Sequence, residues 1–195
     1  YRTQNDANTV MLGFNGRYVI NLTNSLNYGF SSSENKFDET STFTTANNKN
    51  NITYSSNVSY QKILKEKNLF NISLFAKDID AKANYNSYYG YGSSFSYSRI
   101  LPVGILKFEK SYEQSDYEAP DSFYNSSIIR EDMTIKSSVS LNGSLAQIPL
   151  LKIFDKDGSF FYSLKYLETN TNSNMLNYDT LKENITYGIT KRFNF

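Results

Sequence analysis

Glu109, Glu113 and Asp116 lie close together in the chain, and paired carboxylates are one means of general acid–base catalysis. Little else here supports reactive chemistry. The chain contains no His and no Cys, which removes Ser-His and Cys-His nucleophile pairs, thiolates and the usual zinc ligands. Asp155-Lys156-Asp157-Gly158 matches a calcium loop only in its opening residues. The acidic residue that should close such a loop is missing, because Leu167 and its neighbours stand there. A tight Asp-Gly turn into the next strand is the expectation instead. In Gly90-Tyr91-Gly92 the glycines read as relief of crowding on one face of a strand. The Asn-x-Ser/Thr triplets at Asn51, Asn71 and Asn184 fall inside expected strands and follow from composition. The carboxylates therefore read as a charged wall, and no enzyme activity, metal or cofactor is expected.

The elements that must position these residues show a period of two, which sends alternate side chains to opposite faces of a strand. Ile185, Tyr187 and Ile189 alternate with Asn184, Thr186, Gly188 and Thr190. Tyr162, Leu164 and Tyr166 alternate with Ser163 and Lys165, Phe161 being the exception, and Met133, Ile135, Val139 and Leu141 oppose Asp132, Thr134, Lys136 and Ser138. The same pattern upstream predicts nine strands, over 8–22, 25–40, 48–61, 68–80, 85–99, 103–117, 127–142, 158–169 and 180–195. Aromatic and β-hydroxy residues suit such a surface, and the chain has 17 Tyr and 14 Phe but no Trp.

The connections differ by rim. Residues 23–24, 61–67 and 100–102 make short turns, whereas 31–50, 78–84, 118–126 and 170–179 are mostly longer and polar. That asymmetry, together with long strands that are greasy on one face and wet on the other, predicts an antiparallel up-and-down transmembrane β-barrel of the bacterial outer membrane. A mean hydropathy of −0.53 is compatible, because only one face of each strand need be apolar. A soluble β-sandwich also alternates, but its strands are usually about 5–6 residues long, with turn signals every 8–12 residues or so. Segment 142–158 resists the scheme: it falls on the short-turn rim yet carries Leu145, Ile148, Leu150, Leu151, Ile153 and Phe154. A net charge of +1, with 20 basic residues scattered among 19 acidic ones, argues against nucleic acid as a partner.

The chain ends Tyr187-Gly188-Ile189-Thr190-Lys191-Arg192-Phe193-Asn194-Phe195. This resembles the assembly signal read by the barrel assembly machinery, carried here by Tyr187, Gly188, Ile189, Phe193 and Phe195. Strand addition is the physical means of such reading. Two further stretches, the last hairpin (Tyr166, Ser173-Asn174, Tyr178-Asp179, Gly188-Ile189, Arg192-Phe193) and Tyr117-Glu118-Ala119-Pro120-Asp121 leading to Arg130-Glu131-Asp132, are similar to the C-terminal barrel of the surface lipoprotein assembly modifiers. The similarity covers roughly the last third of the chain. It implies a barrel of about 14 strands behind a helical repeat region, and a role in moving proteins to the cell surface. No helical repeat stands in this sequence, two residues follow the family-like Arg-Phe end, and Trp is missing where such barrels often use it.

The expected role is thus an outer-membrane translocation or export barrel, with residues 1–195 forming its C-terminal portion. Its partners would be outer-membrane lipid, the assembly machinery and an exported protein. A passive porin-like channel and an adhesive barrel that binds through its outer loops are the alternatives. Arg130, Asp132, Lys136 and Thr186 are expected to face the lumen, and Tyr162, Leu164 and Ile185 the lipid. Tyr54, Tyr60, Tyr89, Tyr97, Tyr166 and Tyr187 suit girdles at the two membrane interfaces. Single-chain bacterial barrels have an even number of strands. Nine would therefore leave the sheet open, with residues 1–7 as the tail of a loop; the alternative is ten strands, two of them merged within 26–50.

Overall fold

The computed structural model describes residues 7–37, 46–65, 67–121, 127–153, 155 and 158–192. Nine strands form one sheet in sequence order: β1 (Ala7–Asn21), β2 (Asn24–Phe37), β3 (Asn51–Leu64), β4 (Asn68–Ala81), β5 (Tyr88–Leu101), β6 (Gly104–Tyr117), β7 (Glu131–Ser144), β8 (Phe160–Ser173) and β9 (Thr180–Lys191). Every neighbouring pair is antiparallel, and β1 and β9 are not paired with each other, so the sheet is open. The described residues contain no α-helix. They contain four one-turn 3-10 segments at Ala46–Lys49, Asn84–Asn86, Leu145–Gln147 and Leu176–Tyr178.

The strand count agrees with the alternation, and a tenth strand is not found among the described residues of 26–50. Boundaries differ by a few residues: β7 runs 131–144 and β8 160–173 against the expected 127–142 and 158–169, and two strand starts shift behind a 3-10 turn. β5 starts at Tyr88 because 84–86 turns and Ser87, 1% exposed, closes the connection: its Oγ accepts from the Ala81 amide at 2.9 Å and donates to the Ala81 carbonyl at 3.3 Å. β3 likewise starts at Asn51, after the turn at 46–49.

Register carries the alternation across the whole sheet. Phe14, Phe30 and Ser56 share one row, as do Tyr60, Ile72 and Phe95, and Phe108, Val139, Tyr166 and Ile185. Apart from Ser56 these side chains are apolar, and their face also carries charged groups, Lys110 on β6 and, nearer the rims, Lys62, Asp78, Glu168 and Glu183. On the opposite face Asn15, Gly29 and Asn57 lie in one row, Ser73 and Ser94 in another, and Thr134 and Thr171 in a third.

The two faces are buried in the reverse of the soluble order. Leu74, Val58, Phe95 and Val139 are 58%, 45%, 41% and 39% exposed, while Ser115, Asp132 and Ser138 fall to 7%, 5% and 8%. Among the described residues the buried apolar side chains are only Ala81 and Met175. A sheet in water hides its greasy face; this one curls around its polar face and leaves the greasy one outermost.

Glycine permits the tight curl at Gly92. A Cβ there would lie 2.1 Å from the Tyr112 carbonyl oxygen and 2.6 Å from the Phe75 ring, so crowding on the polar face is real. Gly188 has nothing within 4 Å of the same hypothetical atom. Gly92→Val is expected to destabilise the fold by about 1–3 kcal/mol, measured by denaturant titration in micelles, with Gly188→Val near wild type. Equal effects from the two would contradict the packing described.

Candidate functional site

The polar face is lined by short side chains that hydrogen-bond across strands. Ser73 and Ser94 hydroxyls meet at 2.6 Å and those of Thr134 and Thr171 at 3.0 Å. Between β4 and β8 this face encloses a hollow of about 500 Å³, bordered by Lys107, Glu109, Glu113, Lys136 and Lys165. Register places Asp132, Lys136 and Thr186 on this face, and Tyr162, Leu164 and Ile185 on the other. Tyr187 and Ile189 lie on the apolar side of β9 and Gly188 on the polar side, while Phe193 and Phe195 fall outside the described residues. The three carboxylates noted first do not converge: Glu109 and Glu113 point to the hollow, and Asp116 lies on the apolar face near the end of β6.

Arg130 stands just before β7, at the rim where β6 ends and β9 begins. Its guanidinium is stacked between two rings, 4.0 Å from the Tyr117 centroid and 3.8 Å from that of Tyr178, and its Nε donates to Asp132 at 2.8 Å. Tyr178 donates to Asp121 at 2.7 Å. Tyr117 packs on Tyr88 with centroids 4.9 Å apart, and Lys77 lies 5.0 Å over the Tyr88 ring while pairing with Glu113 at 2.6 Å. The second carboxylate oxygen of Asp132, buried, has no hydrogen-bond partner among the described residues.

In the sequence Tyr117–Asp132 and the last hairpin are separate stretches. The fold brings Tyr117, Asp121, Arg130, Asp132 and Tyr178 into one cluster that ties both connections to the sheet. No spacing in the sequence announces this, because the cluster depends on β6, β7 and β8 lying side by side.

Burial, and then the hydrogen bond to Asp121, push the Tyr178 phenol up to about 12, against the opposing pull of Arg130. A proton held more tightly in the folded state stabilises it fully below the unfolded value of about 10, and that contribution is lost as pH rises through about 12. The difference in tyrosinate absorbance between the chain and its Tyr178→Phe variant should titrate near the upper value. A midpoint near 10 would show that the phenol is not held in the cluster.

A second local site lies on the opposite rim, in the connection that resisted the barrel scheme. Asp155, 0% exposed, accepts from the Ser144 hydroxyl at 3.2 Å and from the amides of Ala146 and Phe160, each at 3.1 Å. Ser144 and Gln147 form a capping box around the 3-10 turn Leu145–Gln147. The carboxylate is thus engaged in loop structure, and Gly158 follows at φ +67°. The Ser-x-x-Gln spacing is the one local signal of this turn and is not among the expectations drawn from the sequence, whereas nothing local signals the burial of Asp155.

Tyrosines on the apolar face reach the short-turn rim in a repeated way. Tyr60 donates to Asn24, Tyr97 to Asn68 at 2.7 Å, and Tyr162 to the Val103 carbonyl. Tyr54, Tyr89 and Tyr91 stand toward the other rim on the same face.

No family model, curated protein or solved structure matches this chain.

Proposed function

We propose that this sheet is a section of the wall of an outer-membrane β-barrel whose polar face lines a translocation route for exported protein. The observation that carries the reading is the inverted burial: from β2 to β7 apolar side chains stand outermost and small polar ones inward, while the edge strands β1 and β9 are exposed on both faces. Water penalises such a surface, and hydrocarbon rewards it. Strands of 14 residues, such as β4 and β6, span about 46 Å along their length, or about 35 Å at the roughly 40° tilt of membrane barrels. That length covers a bilayer core with margin at both rims. Tyr60, Tyr97 and Tyr162, with hydroxyls tied to turn residues, suit one interface, and Tyr54, Tyr89 and Tyr91 the other.

On this reading Tyr162, Leu164 and Ile185 meet lipid, Asp132, Lys136 and Thr186 line the lumen, and Arg130 stands at its loop-side mouth. β1 and β9 run in the same direction, so their direct union would be parallel. An all-antiparallel ring requires an odd number of further strands between them. The protein-export role, as against passive permeation, rests on the similarity of the two stretches that meet at Arg130.

The absence of Trp makes the membrane reading directly testable. In vesicles with brominated acyl chains, Leu164→Trp should be strongly quenched and Thr186→Trp weakly; equal quenching overturns the assignment of faces. Removing Phe193, Asn194 and Phe195 should leave the protein in the periplasm, which fractionation measures. The export role is tested in the producing cell: loss of the protein should strand its cargo inside the outer membrane. Unchanged access of external protease to that cargo would overturn it.

A further inference from the structure

We infer that the polar face is an attractive lane for acidic peptide, built around Lys136, Lys165 and Lys182 on β7, β8 and β9. The inference rests on the barrel reading and adds the charge of the cargo. Although the whole chain is nearly neutral, the register sorts its charges unevenly. The polar face of the strands carries six basic side chains, Arg17, Lys77, Lys107, Lys136, Lys165 and Lys182, against three acidic ones, Glu109, Glu113 and Asp132.

Each of the three acids is matched. Glu113 pairs with Lys77 and Glu109 with Lys107, both at 2.6 Å, and Asp132 pairs with Arg130. Glu109 and Glu113 also accept from the hydroxyls of Ser138 and Ser115, at 3.4 and 3.3 Å. Lys136, Lys165 and Lys182 have no ion-pair partner among the described residues. They are also neighbours. Lys136 and Lys182 share a row through Thr169, and Lys107 and Lys165 share a row through Ser140, so each pair is separated by two strand spacings, about 10 Å. Lys136 and Lys165 both border the hollow.

The chemistry of these groups selects the ligand. Lysine presents a compact, hydrated charge on a flexible stem, without the fixed fork by which arginine clamps one carboxylate or phosphate. Spaced lysines separated by hydroxyls therefore attract successive carboxylates of an extended chain while fixing none. That is what passage requires, since a ligand must enter and also leave. A concave wall of one sign concentrates the opposite charge, and salt weakens the attraction.

The test uses the full chain refolded in vesicles, labelled at Asn184→Cys with an environment-sensitive dye; the chain has no other Cys. Deca-glutamate should give a saturable change in emission that weakens with added salt, while deca-lysine gives none. Combined Lys136→Gln, Lys165→Gln and Lys182→Gln should raise the half-saturating concentration about tenfold. Lys62→Gln with Lys191→Gln, on the apolar face, should leave it unchanged. An equal response to deca-lysine, a triple variant that binds like the parent, or saturation by sulfate at the same charge concentration would overturn the inference. Folding of each variant is checked by heat-modifiable mobility, and a misfolded triple variant is replaced by the single variants. Strong quenching of Leu164→Trp without a deca-glutamate response defeats the lane alone; absence of quenching defeats the barrel reading beneath it.

Discussion

Arginine in place of Ile185 is expected to destabilise the folded chain in lipid by about 2–4 kcal/mol, whereas arginine at the adjacent Thr186 is expected to be nearly neutral. Ile185 pairs with Tyr166 and lies in the apolar row that continues through Val139 to Phe108. Thr186 pairs with Lys165 on the polar side. The two substitutions add the same side chain one residue apart on the same strand, so strand propensity and position largely cancel. What remains is the solvent each face meets. Urea titration in vesicles measures both, and the depth dependence of the penalty gives a further check, since it falls toward the interfaces. Equal stabilities would show that lipid does not contact the apolar face, and the inverted burial would then need another explanation. In detergent-free water the same two variants should not differ in this way, because arginine on an exposed face is readily hydrated.

Loss of the Asp155 carboxylate is expected to be comparably severe for a different reason. Asp155→Ala would leave the Ser144 hydroxyl and the Phe160 amide without this acceptor and the Ala146 amide with the Ser144 Oγ alone, around a carboxylate with no exposure. Buried donors left unpaired cost about 1–3 kcal/mol each, and the partial solvent access of these donors makes a total of about 2–4 kcal/mol reasonable. Asp155→Asn keeps an acceptor oxygen and should recover part of the loss. Denaturant titration gives the energies, and limited proteolysis locates the change, since cleavage should appear within 145–159 before the strands open. A stable Asp155→Ala chain with an intact 145–159 segment would mean that the carboxylate is not the organiser of this connection. The loop exposes Leu150 and Ile153 on the same rim, so once released it would add to the hydrophobic surface there.

How far the sequence could be read depends on the range of the interactions concerned. A period of two is local: Ile185, Tyr187 and Ile189 declare a two-faced strand without reference to any neighbour, and the strand count follows from nine such runs. The short turns expected at 23–24 and 100–102, found at 22–23 and 102–103, are similarly local, because hairpin geometry is decided within a few residues. Segment 142–158 was harder. Its apolar residues do not fit a short turn, and what the fold buries there is a carboxylate, with Leu150 and Ile153 left outside. Composition cannot distinguish those cases, since a buried acid is allowed only when several donors converge on it.

Membership of a face was thus determined by the sequence itself, because alternation needs no partner. The tertiary structure alone decided which faces were joined, that the polar one curls inward, and that Arg130 stacks between Tyr117 and Tyr178 across a long sequence separation. It also decided that, among the described residues, Lys136, Lys165 and Lys182 stay unmatched while every acid on the strands' polar face finds a cation. The physical reason is register: pairing fixes which residue stands opposite which, and a slip of one position would exchange the two faces of a strand.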